Sequence, residues 1–210
     1  MATTVVYTQR GRELIANAVN GTTFTPKYIG WGINSTNPTA ASTDVAPFQE
    51  ASEARVTGTT SVVTTTTTND TYQVVGTITS ASTQTINESI LANSATKPGS
   101  TTLSAAITTT GATSMTVTSA AAFPSSGTYY IQIDSEVIAV TAGQGTTTWT
   151  ITRGANGSTA ATHSNGATVT LGNPPGTTGN NGDLFMHASY TGLALNNGDS
   201  LSATFQLKFS

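Results

Sequence analysis

Apolar and polar residues alternate along most of this chain, and only one stretch repeats at helical spacing. Between Gly11 and Gly21, Leu14, Ile15, Ala18 and Val19 share one helix face, and Gly21 stands where a C-terminal cap belongs. Residues 3–7 ahead of it read as a short strand or an extended arm. Tyr28-Ile29-Gly30-Trp31-Gly32 reads as a buried strand whose glycines admit another backbone at close range. A polar loop over 34–44 follows, and its Asn37-Pro38 step disfavours helix. From Arg55 the period is two. Residues 56–68 alternate weakly, Asn69-Asp70 signals a turn, and 71–78 completes a hairpin. Residues 86–91 predict a further strand, as do 184–190 with 193–195 and then 201–209. Asn197-Gly198-Asp199 turns the chain into that last strand, where Leu201, Ala203, Phe205, Leu207 and Phe209 point to one face.

The stretch from about Pro98 to Gly172 has a different rhythm. Short strands are predicted at 102–107, 114–118, 129–133, 137–141, 148–152 and 167–171, separated by Gly, Ser, Pro or Asp. That is the spacing of a small all-β sandwich or barrel. Lys97-Pro98-Gly99-Ser100 precedes it, Gly172-Asn173-Pro174-Pro175-Gly176 follows, and a Gly/Asn-rich run up to Gly182 reads as a flexible return linker. The expected fold is mainly β: an antiparallel β-sandwich or barrel-like domain with one short N-terminal helix, interrupted by a second small all-β domain. The first is assigned residues 1–97 plus 177–210, and the second, projecting outward, residues 98–176.

Composition sharpens this picture. Threonine makes up about a fifth of the 210 residues, and only 8% are charged, against roughly a quarter in an average soluble domain. Threonine is β-branched and suits a pleated surface that is half wet and half packed. A net charge of −3 with scattered basic residues predicts no nucleic-acid partner. No apolar run approaches the ~20 residues of a membrane span, so no membrane association is expected. Met1-Ala2-Thr3-Thr4-Val5 lacks the basic segment, apolar stretch and cleavage site of a secretory signal, which predicts synthesis and folding in a host cytoplasm. With no cysteine and two histidines, neither a metal nor another cofactor is expected, and the shortage of clustered acids argues against an enzyme.

Several residues are candidates for chemistry. Asp134 and Glu136, two apart, could serve as paired carboxylates on one strand face, but Asp134-Ser135 reads better as a turn between strands. His163 reads as a structural histidine near Arg153 and the 154–157 loop, since a triad or zinc site would need ligands from scattered acids. Arg153-Gly154-Ala155-Asn156-Gly157 is glycine-rich but opens no helix, so it reads as a hairpin loop and not a phosphate loop. Arg10 and Arg12 form the only close basic pair. They either meet acidic groups on a partner or are a solvated helix start, and with Tyr7 they are the candidate subunit or shell contacts. Trp31, between Ile29, Gly30 and Gly32, reads as core and not as a carbohydrate platform. Tyr129, Tyr130 and Trp149 are candidate exposed aromatics, with alternation burying at least one tyrosine; Tyr130 is the chosen one.

Two stretches resemble components of tailed-bacteriophage particles. Tyr28-Ile29-Gly30-Trp31-Gly32, Thr43-Asp44, Glu53-Ala54-Arg55-Val56, residues 68–78 and the closing 195–201 are similar to a small domain of decoration-type and tail-associated proteins. In such relatives an Ile-Asn-Glu-like stretch often runs directly into a Gly-Leu-Phe segment. Here Ile86-Asn87-Glu88 is separated from Gly182-Asp183-Leu184-Phe185 by the additional segment. That segment itself resembles a β-module of phage structural proteins through Phe123-Pro124, residues 131–136, residues 148–154, Gly157-Ser158 and Ala161-Thr162-His163. The resemblance implies a capsid decoration (cement) protein on the outer surface of the head, bridging capsomers, with the major capsid protein and copies of itself, as a trimer or dimer, for partners. The alternative is a tail-fibre or baseplate protein that attaches to host-surface glycans; a polysaccharide-degrading enzyme is a weaker third. Neither resemblance carries catalytic residues.

Overall fold

The computed structural model describes residues 3–36, 38–177 and 182–209. Asn37 of the Asn37-Pro38 step and 178–181 of the expected return linker lie outside the described residues. The chain is mainly β with antiparallel sheets. In order it forms β1 (Thr3–Tyr7), α1 (Gln9–Val19), β2 (Tyr28–Gly32), β3 (Val56–Thr57), β4 (Thr59–Val63), β5 (Thr71–Thr79) and β6 (Gln84–Ala92). There follow β7 (Ser100–Thr102), β8 (Ser114–Thr116), β9 (Tyr129–Ile133), β10 (Glu136–Ala142), β11 (Thr148–Thr152), β12 (Thr168–Gly172), β13 (Leu184–Leu195) and β14 (Ser200–Lys208).

One sheet runs β1-β13-β6-β2-β3 and a second runs β14-β5-β4. Their apolar faces meet in a sandwich-like core where Ile29, Trp31, Leu91 and Phe185 of the first pack with Val74, Ile78, Phe205 and Leu207 of the second. Strands from both ends of the chain interleave here, β13 lying between β1 and β6, so this core closes only when residues far apart in sequence come together. A third sheet, β7-β12-β9-β10-β11-β8, draws every strand from between residues 100 and 172. Its two edges are joined by a Leu103–Val117 bridge, with Thr118 N–H donating to Thr102 C=O (2.9 Å) and Ser104 N–H to Thr116 C=O (3.0 Å). The sheet therefore closes on itself as a barrel around Ile131, Ile133, Ile138 and Trp149.

The helix begins two residues before the apolar pattern suggests because Thr8 caps it: its Oγ1 accepts from Gly11 N–H at 2.8 Å. Of the apolar stripe, Leu14 is buried and Ile15 half-buried, while Ala18 and Val19 are exposed. The hairpin expected over 56–78 forms between β4 and β5, but β4 ends at Val63. Asp70 stops it. Its carboxylate collects the N–H groups of Thr65, Thr66 and Thr67, each at 2.9 Å, and so coils the threonine run into a loop. The strand expected over 184–190 with 193–195 is β13, continuous from Leu184 to Leu195, and its register against β6 slips between Ser189 and Leu193.

Candidate functional site

The most concentrated chemistry lies in two clusters with one plan: a histidine clamped between two carboxylates. His187 sits on β13, Glu88 on the neighbouring β6, and Asp44 comes from the loop after β2. His187 Nδ1 is 2.7 Å from Asp44 Oδ2 and its Nε2 is 2.7 Å from Glu88 Oε2, with all three side chains sealed from solvent. Both ring nitrogens face carboxylate oxygens, so both carry protons and the ring is an imidazolium. Burial alone would drive the proton off. The hydrogen bonds and negative charges of Asp44 and Glu88 outweigh it and hold the ring's pKa up at about 9. Glu88 also accepts from Phe48 N–H (3.0 Å) and Gln49 N–H (2.9 Å), and Asp44 from Ala41 N–H (2.8 Å). Gly32 makes room for this: a Cβ there would stand 1.8 Å from Glu88 Oε1.

The second clamp occupies one end of the barrel. Asp134, in a left-handed conformation (φ 49°), turns β9 into β10, and Glu136 is the first residue of β10. The turn expected at Asp134-Ser135 is thus present, and both carboxylates also hold His163, at 2.9 Å from Nδ1 and 2.9 Å from Nε2. Arg153 grips Glu136 with two bonds, Nε at 2.7 Å and Nη2 at 2.6 Å. Gly154 and Ala161 N–H groups each donate to Glu136 at 3.0 Å. Burial would raise the Glu136 carboxyl, but His163, Arg153 and those N–H groups overcome it and hold its pKa near about 2. Burial likewise opposes the charge on His163, and its two carboxylates raise its pKa in spite of it. The glycine-rich stretch at 153–157 is not the expected hairpin loop. β11 before it and β12 after it are not neighbours in the sheet, and a short 3-10 turn at Ala155–Gly157 lets the crossing chain wrap Glu136.

Gln132 of β9 joins the two clamps. Its Oε1 accepts from Val45 N–H (2.7 Å) and Ala46 N–H (3.0 Å), while its Nε2 donates to Asp44 Oδ1 (2.9 Å) and to the Asp134 carbonyl (3.1 Å). A continuous polar path therefore runs His187–Asp44–Gln132–Asp134–His163. Thr36 Oγ1 donates to Asp134 Oδ1 (2.7 Å) and Asn156 Nδ2 to the Thr43 carbonyl (2.9 Å). The barrel thus packs directly on the loop after β2, so closely that a Cβ on Gly172 would stand 2.2 Å from Val45 Cγ2.

The residues singled out from sequence are dispersed. Tyr7 is half-buried, edge-on to Phe185 with ring centroids 6.3 Å apart, and donates its hydroxyl to the Gln206 carbonyl at 3.2 Å. Arg10 turns inward, bonded to Asp183 by Nε (3.0 Å) and Nη2 (3.3 Å) and to Glu13 by Nη1 (2.6 Å). Arg12 alone of that pair is exposed. Trp31 lies in the sandwich core, as its glycine neighbours suggest, with Nε1 donating to Glu53 at 3.1 Å. Of the three candidate exposed aromatics, Tyr129 and Trp149 are in the barrel core, edge-to-face at 5.7 Å, and Tyr130 is half-buried. Sequence reasoning missed Asp44, Glu88, His187 and Gln132 as a set, because nothing in their spacing links them.

The arrangement orders charge inside the molecule. Each histidine has both nitrogens occupied, and among the described residues no group of three or more His, Asp or Glu side chains is disposed to hold a metal ion. Of the seven basic and ten acidic side chains, only Arg12, Asp199 and Lys208 are exposed; the rest are buried or half-buried. No helix among the described residues is long and apolar enough to cross a membrane. Comparison with protein-family models, with curated proteins and with solved structures gives no match.

Proposed function

We propose that this chain is a structural protein of a tailed-phage particle: a decoration, or cement, protein on the outer face of the head that bridges capsomers. The observation that carries this reading is the distribution of charge. A surface of hydroxyls, amides and strand backbone with three exposed charges suits broad, polar, hydrogen-bonded contact with a protein shell. The resemblance of residues 28–32, 53–56, 68–78 and 195–201 to decoration-type and tail-associated proteins supplies the setting. In this reading residues 1–97 plus 177–210 bind the shell and residues 98–176 project outward. A ligand of the assembled shell alone stabilises assembly by mass action, which is how a cement protein opposes the pressure of packaged DNA. The tail-attachment reading gains nothing from Tyr129 and Trp149, whose rings are enclosed in the barrel core.

Quantitative mass spectrometry of purified particles from the phage encoding the chain tests the reading. Hundreds of copies per particle, comparable to the major shell protein, are expected; tens or fewer would move the protein to the tail. A second expectation concerns salt. Attachment should persist at about 1 M salt, where the screening length has fallen to roughly 3 Å, and loss at modest ionic strength would contradict a charge-poor interface.

A further inference from the structure

We infer that the outer edge of β14 pairs with the same edge of a second copy, antiparallel about a two-fold axis at Thr204. β14 is the longest strand at an open sheet edge, nine residues against five in β1, two in β3 and five in β4. It has no proline, no inward-pointing charge and no register slip, three of the devices that protect natural edges, and its one edge charge, Lys208, stands at its end.

The backbone shows which groups are on offer. Phe209 N–H donates to Asp70 C=O and Ser80 N–H to Asp199 C=O, both at 2.8 Å, so the odd-numbered residues of this strand bond toward β5. The N–H and C=O groups of Ser200, Ser202, Thr204, Gln206 and Lys208 therefore point outward. The Tyr7 hydroxyl bonds the Gln206 carbonyl from that side, which fits the assignment. A two-fold at Thr204 sets Thr204 against its own copy, Ser202 against Gln206, and Ser200 against Lys208. All are hydrogen-bonded pairs built from outward groups. On the inner face the same register brings Leu201 to Leu207 and Ala203 to Phe205. Leu201, Ala203 and Phe205 border an open apolar groove of about 460 Å³ that Val5 and Leu193 also line, and a second copy would close it.

Charge selects a second copy as the occupant. Of the three exposed charges, two bracket this strand, Asp199 just before it and Lys208 at its end. Antiparallel self-pairing carries Lys208 of each copy to Ser200 of the other, beside Asp199, so opposite charges meet at both ends. The two-fold geometry selects a dimer over the trimer that the family resemblance allows. It does not depend on the capsid reading, because pure protein either forms this pair or does not.

Sedimentation equilibrium of the full chain tests it. A reversible dimer is expected. Thr204→Pro removes one outward N–H and leaves the β5 ladder intact, and should weaken dimerisation by about tenfold or more with unchanged circular dichroism. Lys208→Glu should also weaken it, and adding Asp199→Lys to Lys208→Glu should restore it. Tyr7→Phe frees the Gln206 carbonyl and should tighten the pair. A monomer at every concentration, a trimer, or a dimer indifferent to the charge reversals overturns the inference. The charge reversals decide the matter even if Thr204→Pro disturbs folding.

Discussion

The Asp44–His187–Glu88 clamp is assembled from segments 143 and 99 residues apart and is shut away from water, whereas the Asp134–His163–Glu136 clamp spans 29 and 27 residues and leaves Asp134 partly exposed. Their charges differ too. The barrel clamp contains Arg153, so two carboxylates meet two cations. The sandwich clamp has two carboxylates and one imidazolium, and its excess negative charge is met by the N–H groups of Ala41, Phe48 and Gln49 and by the Gln132 amide. A buried ion cluster repays its desolvation only when every lone pair is satisfied. The sandwich clamp, with no spare cation and no solvent, should therefore be the more brittle of the two.

The largest expected effect follows from removing its centre. His187→Ala leaves Asp44 and Glu88 buried without their cation and should cost about 3–5 kcal/mol in urea unfolding, while Asp134→Asn at the wetter clamp should cost about 1 kcal/mol. Equal losses would erase the distinction between the clamps.

Alkaline pH offers a second way to separate them. His187 is held above its ordinary value, so its contribution is fully present below about 6.5 and is lost as pH rises through about 9, on the order of 3 kcal/mol in total. His163 is shifted in the same direction and adds to the loss. Glu136 is held down near about 2 and works in the opposite sense: its contribution is complete above about 4.5 and is lost as pH falls toward that value. Urea midpoints across pH should thus fall at both ends, and in Asp134→Asn the alkaline fall should survive because His187 remains. If that variant flattens the alkaline limb, the assignment to His187 fails.

Gln132→Ala tests the link and not either clamp. It removes the acceptor for two backbone N–H groups and a donor to Asp44, and about 2 kcal/mol should be lost. Amide exchange should accelerate at Val45 and Ala46 while the β9–β10 ladder stays protected. If exchange is unchanged there, the barrel is held against the sandwich by something else.

Local patterns carried much of this architecture. The helix, the β4–β5 pair, the last strand and five of the six barrel strands follow apolar spacing and turn residues, since each is decided by neighbours a few positions away. The strand expected over 102–107 is instead β7 at Ser100–Thr102, with Leu103 and Ile107 only in isolated bridges. The turn at Asp134 was readable for the same reason, and so was the association of His163 with Arg153. Thr191-Gly192 interrupts the alternation within β13, and pairing with β6 carries the strand across it with a shift of register. The 153–157 loop departs from the hairpin its spacing suggests because strand order is invisible to local spacing.

The sequence by itself determined that the chain is β-rich, poor in charge and without thiols, because propensity, period and composition need no partner. Only the tertiary structure decided where the few charges go. Asp44, Glu88, Gln132 and His187 have no common spacing, and Arg10 looks in sequence as available as Arg12. Their fate is set by long-range strand pairing, β13 beside β6 and the barrel against the loop after β2, which encloses some ionisable groups and leaves Asp199 and Lys208 at the ends of an open edge.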